Sequence, residues 1–582
     1  MPEPDGTLQK VRELVSARDF ARAHALLAKV LPRHRDHPNV NASMCTLLAQ
    51  QGRFEEAVPY AQRVLKVLPN DPNALTNMAT ILASTNRAAE SLPLLRRVLE
   101  IDPARRKARA SLCGMLIREH RPWEAAEMAR AGLGRVPGDA EFWTVLGLAL
   151  REIGRPSEAV RELRACVVAH PRDLAAGIAL VNAMNCADDV TPGETYAAHA
   201  VLSDLADAPA VAVTARPLAG RRLRVGFMSP DLRGHSVALF VEPILREIDR
   251  ERFETVCLSL SGAEDAVSDR LRAMATEWYN VLRTPPEHLA DFIVARELDV
   301  LVDLAGLTSG HRFGTLKQRP APVVMTYCGY PNTTGLREVD FRIVDALTDP
   351  PGSEGLCAET LLRINPCFLC FSPIKDEPPP VAEPPCTGGS GITFGSFNAQ
   401  AKLSDRAVAL WARVLNAVPG SRLVLKNINL VEDGLRADLL ARFGRAGLDP
   451  GRVELLAWIK GNPLGAYDRL DVALDPFPYN GTTTTCEALM MGVPVVTLVG
   501  DRHAARVGLS LLTAAGHPEL IAETEDRYVE LAVGLARDPE RLRALRARLR
   551  GDLFGSPLCD AGRFARAFES LLLGAWRAKA GL

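Results

Sequence analysis

The first third of the chain carries a spacing that neither a single helix nor a strand explains. Prolines stand at Pro69, Pro103, Pro137 and Pro171, and arginines at Arg53, Arg87, Arg121 and Arg155. Small residues stand at Ala23, Ala57, Ser91, Ala125 and Ala159, and Phe20 and Phe54 share their phase. All of these sets repeat every 34 residues. That period predicts helix–turn–helix units, each burying its apolar face only against its neighbours. The small residue lets the second helix approach the first. The proline ends the second helix, because it cannot donate the next backbone bond. Residues 174–220 read as a closing helix pair and a linker, softest in PAVAVTARPLAG.

From Arg221 the pattern changes. RLRVGFMSP, FETVCLSL, LDVLVDLAG, PVVMTYCGY and FRIVDAL are short apolar runs, several of them separated by helical stretches. KDEPPPVAEPPCTGGSG then marks a linker by its proline and glycine content. GITFGSFN, SRLVLKN, RVELLAW, VALDPF and VPVVTLVG repeat the alternation, and the C-terminal LFGSPLCDAGRFARAFESLLLGAWRAKA reads as closing helices. Two parallel doubly wound sheets are expected, with a cleft beyond the carboxyl ends of their strands.

Composition limits the partners. The chain has 582 residues, 47% apolar and 24% charged, with a net charge of −1. No basic block points to nucleic acid. MPEPDGTLQK lacks the apolar core of a secretory signal, and no apolar run approaches about 18 residues, so a cytoplasmic location without a membrane span is expected. The 12 cysteines form no framework. Cys367 and Cys370 make one CxxC with no second pair at zinc spacing. They read as two partly buried thiols in a reducing compartment, and no metal or cofactor is expected.

The stretch LDPFPYNGTTTTCEALMMGVPVVTL, Leu474 to Leu498, admits two readings. Thr484 and Glu487 have the S/T-x-x-E spacing of a capping box. The same helix start also offers free N–H groups and the positive end of a dipole to an anion. Thr482, Thr483 and Thr484 would add hydroxyl donors, and Glu487 could accept both hydroxyls of a ribose.

These residues, followed by Arg506, Gly508 and Ser510, resemble the O-linked N-acetylglucosamine transferase and SPINDLY family. VGFMSPDLRGHSVALFVEPIL, LVDLAGLTSGHR, RPAPVVMTYCGYPNTTG and FGSFNAQAKLS resemble its other motifs, in order. The 34-residue units resemble tetratricopeptide repeats, the family's usual partner domain. The implied fold is α + α/β. A tetratricopeptide solenoid (1–173) and helical linker (174–220) precede a GT-B pair of Rossmann-like domains, acceptor-side (221–375) and nucleotide-sugar-binding (392–582), joined by a linker (376–391).

The implied function is an inverting, metal-independent protein O-glycosyltransferase acting on serine or threonine of a protein chosen by the repeats. The sequence is compatible with this, having no Asp-x-Asp of the metal-dependent sugar transferases. By resemblance His235 and Lys402 are the catalytic candidates. Lys460, Thr482, Thr483, Thr484, Glu487 and Asn398 are donor-binding candidates, and Asp299 and Asp303 are weaker ones. From the residues alone, His235 could equally cap a helix, and the two aspartates could be strand-edge charges.

Two positions depart from the family pattern: Leu307 and Pro463 replace frequent histidines. They predict altered recognition of the base and sugar, away from a uridine-diphosphate N-acetylglucosamine donor. Part of the family uses GDP-fucose. A flagellin glycosyltransferase with a CMP-linked nonulosonic (pseudaminic or legionaminic type) donor, a non-enzymatic repeat scaffold and a sugar-nucleotide epimerase are the alternatives.

Overall fold

The computed structural model describes residues 5–85, 87–206, 208–373, 378–389, 391–457 and 463–581. They form two compact units, 1–149 and 150–582. In the first, the 34-residue spacing becomes stacked helix pairs. Arg53, Arg87 and Arg121 are the residues before the helices Phe54–Val67, Ala88–Ile101 and Pro122–Arg135. Each pairs with a glutamate three residues on: Glu56, Glu90 and Glu124. Ala23, Ala57, Ser91 and Ala125 are all fully buried, as close helix approach requires. Pro69, Pro103 and Pro137 each follow the C-terminal cap of a helix, where the missing N–H removes nothing.

The second unit begins within the repeat pattern. The helices Pro156–Ala169, Leu174–Met184 and Pro192–Leu205 belong to it. The division therefore falls before the expected solenoid end at 173. Polar contacts show why. Arg155 forms a two-armed ion pair with Asp438, Asn182 donates to the Leu307 carbonyl (3.0 Å), and Arg502 donates to the Val190 carbonyl (2.6 Å).

Two parallel sheets follow. The first contains β1 (Leu223–Ser229), β2 (Phe253–Ser259), β3 (Glu277–Asn280), β4 (Val300–Asp303), β5 (Val323–Thr326), β6 (Phe341–Val344) and β7 (Thr360–Arg363). Its order is β3-β2-β1-β4-β5-β6-β7. The second contains β8 (Thr393–Ser396), β9 (Arg422–Lys426), β10 (Val453–Leu456), β11 (Val472–Leu474), β12 (Val495–Leu498) and β13 (Ile521–Ala522). Its order is β10-β9-β8-β11-β12-β13. Each sheet reverses direction once, between β1 and β4 and between β8 and β11. A doubly wound sheet opens its ligand crevice at that point.

The closing helices do not all stay with the second sheet, where 392–582 placed them. The last helix, Ala561–Ala580, returns to the first. Phe568 packs on Phe227 and Tyr327 at ring separations of 6.4 and 5.5 Å, and Glu569 accepts the Asp249 N–H at 2.9 Å. Among the described residues no helix is long and apolar enough to cross a membrane.

Candidate functional site

At the reversal of the second sheet, the loops after β8 and β11 meet. β11 is three apolar residues, and the chain then places Asp475 at its carboxyl end, 1% exposed. Asp475 accepts from Thr497 Oγ1 (2.7 Å) and Gly481 N (2.6 Å). Gly508 is needed here. A Cβ on it would lie 2.1 Å from Thr497 Oγ1 and 2.9 Å from Asp475 Oδ2. The loop after β8 ends in a 3₁₀ turn, Gln400–Lys402. From it Lys402 Nζ donates to the Asn480 carbonyl at 2.7 Å and lies 4.1 Å from the centre of the Tyr479 ring. Burial pushes this amine down to about 8, opposed by the field of Asp475. Burial pushes the Asp475 carboxyl up, opposed by its hydrogen bonds and by Lys402.

The threonine run starts the helix Thr483–Met490. Its N-cap is Thr482, with φ −118° and ψ −81°, and no side chain caps it. The capping-box expectation fails because Thr484 already lies inside the helix and both of its members are engaged elsewhere. Thr484 Oγ1 donates to Asn398 Oδ1 at 2.9 Å. Glu487 accepts from the Tyr467 hydroxyl at 3.2 Å. Burial raises the Glu487 carboxyl, and its Tyr467 bond and Lys426 oppose the shift. Asn398, Thr484 and Glu487 are thus linked side by side, with Thr482 and Thr483 at the open helix start and Lys402 joined through the Asn480–Gly481 turn.

Four neighbours escaped the sequence reading: Asp475, Lys426, Phe397 and Tyr467. Lys426 ends β9, donates to the Pro463 carbonyl (2.9 Å) and sits 4.6 Å from the Phe397 ring centre. Phe397 and Tyr467 pack at 4.8 Å. Asp475 and Lys426 carried a usable signal, a charge at the carboxyl end of an apolar run. The two rings carried none. Lys460 and Asn462 lie outside the described residues.

The first sheet presents different chemistry. His235 is the N-cap of the helix Ser236–Glu247, and its Nδ1 accepts the Val237 N–H at 3.3 Å. It is therefore a helix cap with a half-exposed ring. Desolvation lowers its pKa, and Asp231, 3.7 Å away, opposes the shift. With Nδ1 accepting, the neutral ring carries its proton on Nε2 and presents a donor. Asp303 ends β4, fully buried. It accepts from Gly306 N (2.7 Å), Ala305 N (3.3 Å) and Thr326 Oγ1 (3.3 Å), and burial pushes it up to about 7. Asp299 precedes β4, at the opposite edge of the sheet from the crevice. There it takes two bonds from Arg221 (2.6 and 2.7 Å) and one from Arg224 N (2.9 Å). That makes it a structural ion pair. Leu307 is 2% exposed within the apolar core.

Arg506 and Ser510 tie the sheets together. Arg506 Nε donates to the Leu347 carbonyl (2.7 Å), and Ser510 Oγ donates to Asp345 (2.5 Å). Cys367 and Cys370 are buried free thiols. Burial pushes Cys367 up to about 12 and raises Cys370 as well. No group of three or more potential metal ligands occurs among the described residues.

Comparison with known proteins places this geometry. The model of glycosyl transferase family 41 matches residues 203–370 and 388–568, and tetratricopeptide-repeat models match 14–81, 48–116 and 116–173. The chain is 42% identical to the Arabidopsis thaliana protein named probable UDP-N-acetylglucosamine–peptide N-acetylglucosaminyltransferase SPINDLY, over 61% of this chain and 40% of that one. It is 28% identical to the SEC protein of the same plant, over 61% and 37%. The chain thus spans about two fifths of the length of these curated relatives. A solved Thermobaculum terrenum O-GlcNAc transferase mutant superposes with a TM-score of 0.82 at 32% identity, covering 88% of this chain and 98% of that one.

Proposed function

The chain belongs to glycosyl transferase family 41, and from that premise we propose that it transfers a sugar from a nucleoside-diphosphate donor to a serine or threonine hydroxyl of a protein. One observation carries the reading. The half-buried amine of Lys402 and the uncapped start of the helix Thr483–Met490 share the reversal point of the second sheet. A leaving nucleoside diphosphate needs positive charge placed in advance, and both features supply it without rearrangement.

In this reading the diphosphate lies against the N–H groups and hydroxyls of Thr482 and Thr483, with Lys402 neutralising the charge that develops on the leaving oxygen. Glu487, held by Tyr467, accepts from the ribose, and the Phe397–Tyr467 pair with Lys426 faces the base. His235 offers an Nε2–H from the first sheet to the acceptor side. As placed, it orients or donates. To act as base it would have to release the Val237 N–H and move its proton to Nδ1. Attack opposite the leaving group inverts the anomeric centre, and the proposed reaction uses no metal. The repeats choose the protein acceptor.

The relatives are named for uridine-diphosphate N-acetylglucosamine. In this chain Leu307 is core, and Pro463 offers only a carbonyl, already bonded to Lys426. We therefore propose a donor preference other than that one. The test incubates the full chain with UDP-, GDP- and CMP-linked sugars, with and without EDTA, and reads acceptor protein by intact-mass and peptide mass spectrometry. The expected result is one sugar's mass on serine or threonine, unaffected by EDTA, from a donor other than UDP-N-acetylglucosamine. Efficient transfer from UDP-N-acetylglucosamine overturns the donor preference alone. Absence of both nucleotide binding and transfer overturns the function.

A further inference from the structure

The turn between the helices Ala140–Ile153 and Pro156–Ala169 lies directly against the turn that carries Lys402. Gly154 has φ +87°, a conformation that side chains rarely adopt. A Cβ there would stand 2.8 Å from the Gln400 carbonyl oxygen, 3.0 Å from Gln400 Nε2 and 3.2 Å from Arg442 Nη1. Gln400 is 4% exposed, and its Nε2 faces the Ile153 carbonyl at 3.4 Å.

The contact falls on a particular atom. The Gln400 carbonyl accepts the Leu403 N–H at 3.0 Å and so closes the turn Gln400–Lys402. Arg442, itself beside Gly154, braces that turn, donating to the Leu403 carbonyl (2.8 Å) and to Asp405 (2.7 Å). Glu152 and Arg155 fix the glycine turn in place. The Glu152 carbonyl accepts from Asn429 Nδ2 (3.3 Å), and Arg155 is paired with Asp438, whose carboxylate is only 7% exposed. The backbone around Lys402 is therefore packed against Gly154 and braced by Arg442, with no room for a methyl group on Gly154.

We propose that Gly154 is a positioning residue for Lys402, and that the end of this repeat helix sets where the lysine amine meets the donor's diphosphate. The proposal rests on the reading of Lys402 as the diphosphate lysine. Pure packing would be satisfied by side-chain contacts that can give way. Here the contact is on the carbonyl that shapes the lysine's own turn, so a displacement is passed straight to the amine.

The experiment titrates UDP and GDP into Gly154→Ala, Gln400→Ala, Asn429→Ala and Lys402→Ala, and records melting temperature and the pH dependence of affinity for each. Gly154→Ala is expected to weaken diphosphate binding by about tenfold, the scale of one misaligned charge-assisted contact. It should also move the basic limb of the pH profile. Asn429→Ala loosens the glycine turn without pressing on the Gln400 carbonyl, so it should lower melting and weaken binding far less than Gly154→Ala does; a loss equal to that of Gly154→Ala would assign the effect to general loosening and overturn the proposal. Gly154→Ala that folds and binds with native affinity and native pH profile overturns the proposal. If Gly154→Ala does not fold, Gln400→Ala decides: about threefold weaker binding supports the proposal, and unchanged binding overturns it. Native affinity in Lys402→Ala overturns instead the diphosphate reading on which the proposal stands.

Discussion

The carboxyl edges of the two sheets are furnished in opposite ways. At the second, cations are drawn into the protein. Lys402 and Lys426 are both half-buried and both held below the usual lysine range by burial, with Asp475 and Glu487 opposing that shift. At the first, the one buried arginine, Arg342, is neutralised by Asp349 among the described residues, and the buried acids Asp303 and Asp345 are consumed by backbone N–H groups and hydroxyls. Asp303 is taken by Ala305, Gly306 and Thr326. Asp345 is taken by Leu347, Thr348, Phe368 and Ser510. His235 and His311 stand there with partly exposed rings. A cation kept in a low-dielectric site costs stability. A chain that keeps two of them on one sheet has a use for positive charge there, and an anionic ligand supplies it. The acids of the first sheet shape loops.

The largest expected effect breaks the cationic side. Lys402→Ala should lower turnover by about 10²-fold or more, since a preplaced charge of this kind contributes roughly 3–4 kcal/mol in the transition state. The fold should survive, because Asp475 keeps its bonds from Thr497 and Gly481. Turnover and melting temperature measured on one preparation check both halves. Native turnover would erase the contrast between the sheets.

The first sheet is tested through His235. His235→Asn keeps an N-cap acceptor for the helix Ser236–Glu247, whereas His235→Ala removes it. Both should lose transfer by about 10²-fold, the usual scale for a proton-handling side chain. Only the alanine variant should also lose roughly 1 kcal/mol of stability. Equal destabilisation with native turnover would mean that His235 is a cap and nothing more.

These two residues also show what the sequence could and could not tell. The 34-residue period, the two alternating halves and the threonine run were legible, because each is a local pattern with a local cause. The division of the chain at Ala149 and the return of the last helix to the first sheet were not. Both depend on contacts between residues far apart, such as Arg155 with Asp438 and Phe568 with Tyr327. Strands β3, β7 and β13 escaped because they lie at sheet edges and carry no fully buried apolar run. Asp299 and Asp303 looked equivalent in sequence, four residues apart. One strand's length puts them at opposite edges of the sheet, and only topology says which edge faces the crevice.

A pH series sharpens the contrast further. Burial pushes the Lys402 amine down from the usual lysine value of 10.5 to about 8. The charged form binds the diphosphate and is depleted as pH rises through about 8. Affinity for UDP or GDP should therefore fall by several-fold, up to about tenfold, between pH 7 and 9. Lys402→Ala should flatten that limb. A steep limb that survives the substitution would assign the titration to another group.

The smallest effect lies within the second sheet's own site. Thr484 serves by one hydroxyl, whose bond to Asn398 Oδ1 fixes the loop after β8 against the helix Thr483–Met490. Thr484→Val keeps the volume and removes that bond. A net hydrogen bond of this type is worth about 1 kcal/mol, so nucleotide affinity should fall roughly fivefold while melting moves little. Asn398→Ala should produce a loss of similar size. The double variant should lose little more than either single one, because both remove the same bond. Full additivity would show that Thr484 and Asn398 meet the nucleotide separately, and that the threonine run holds the ligand by independent contacts.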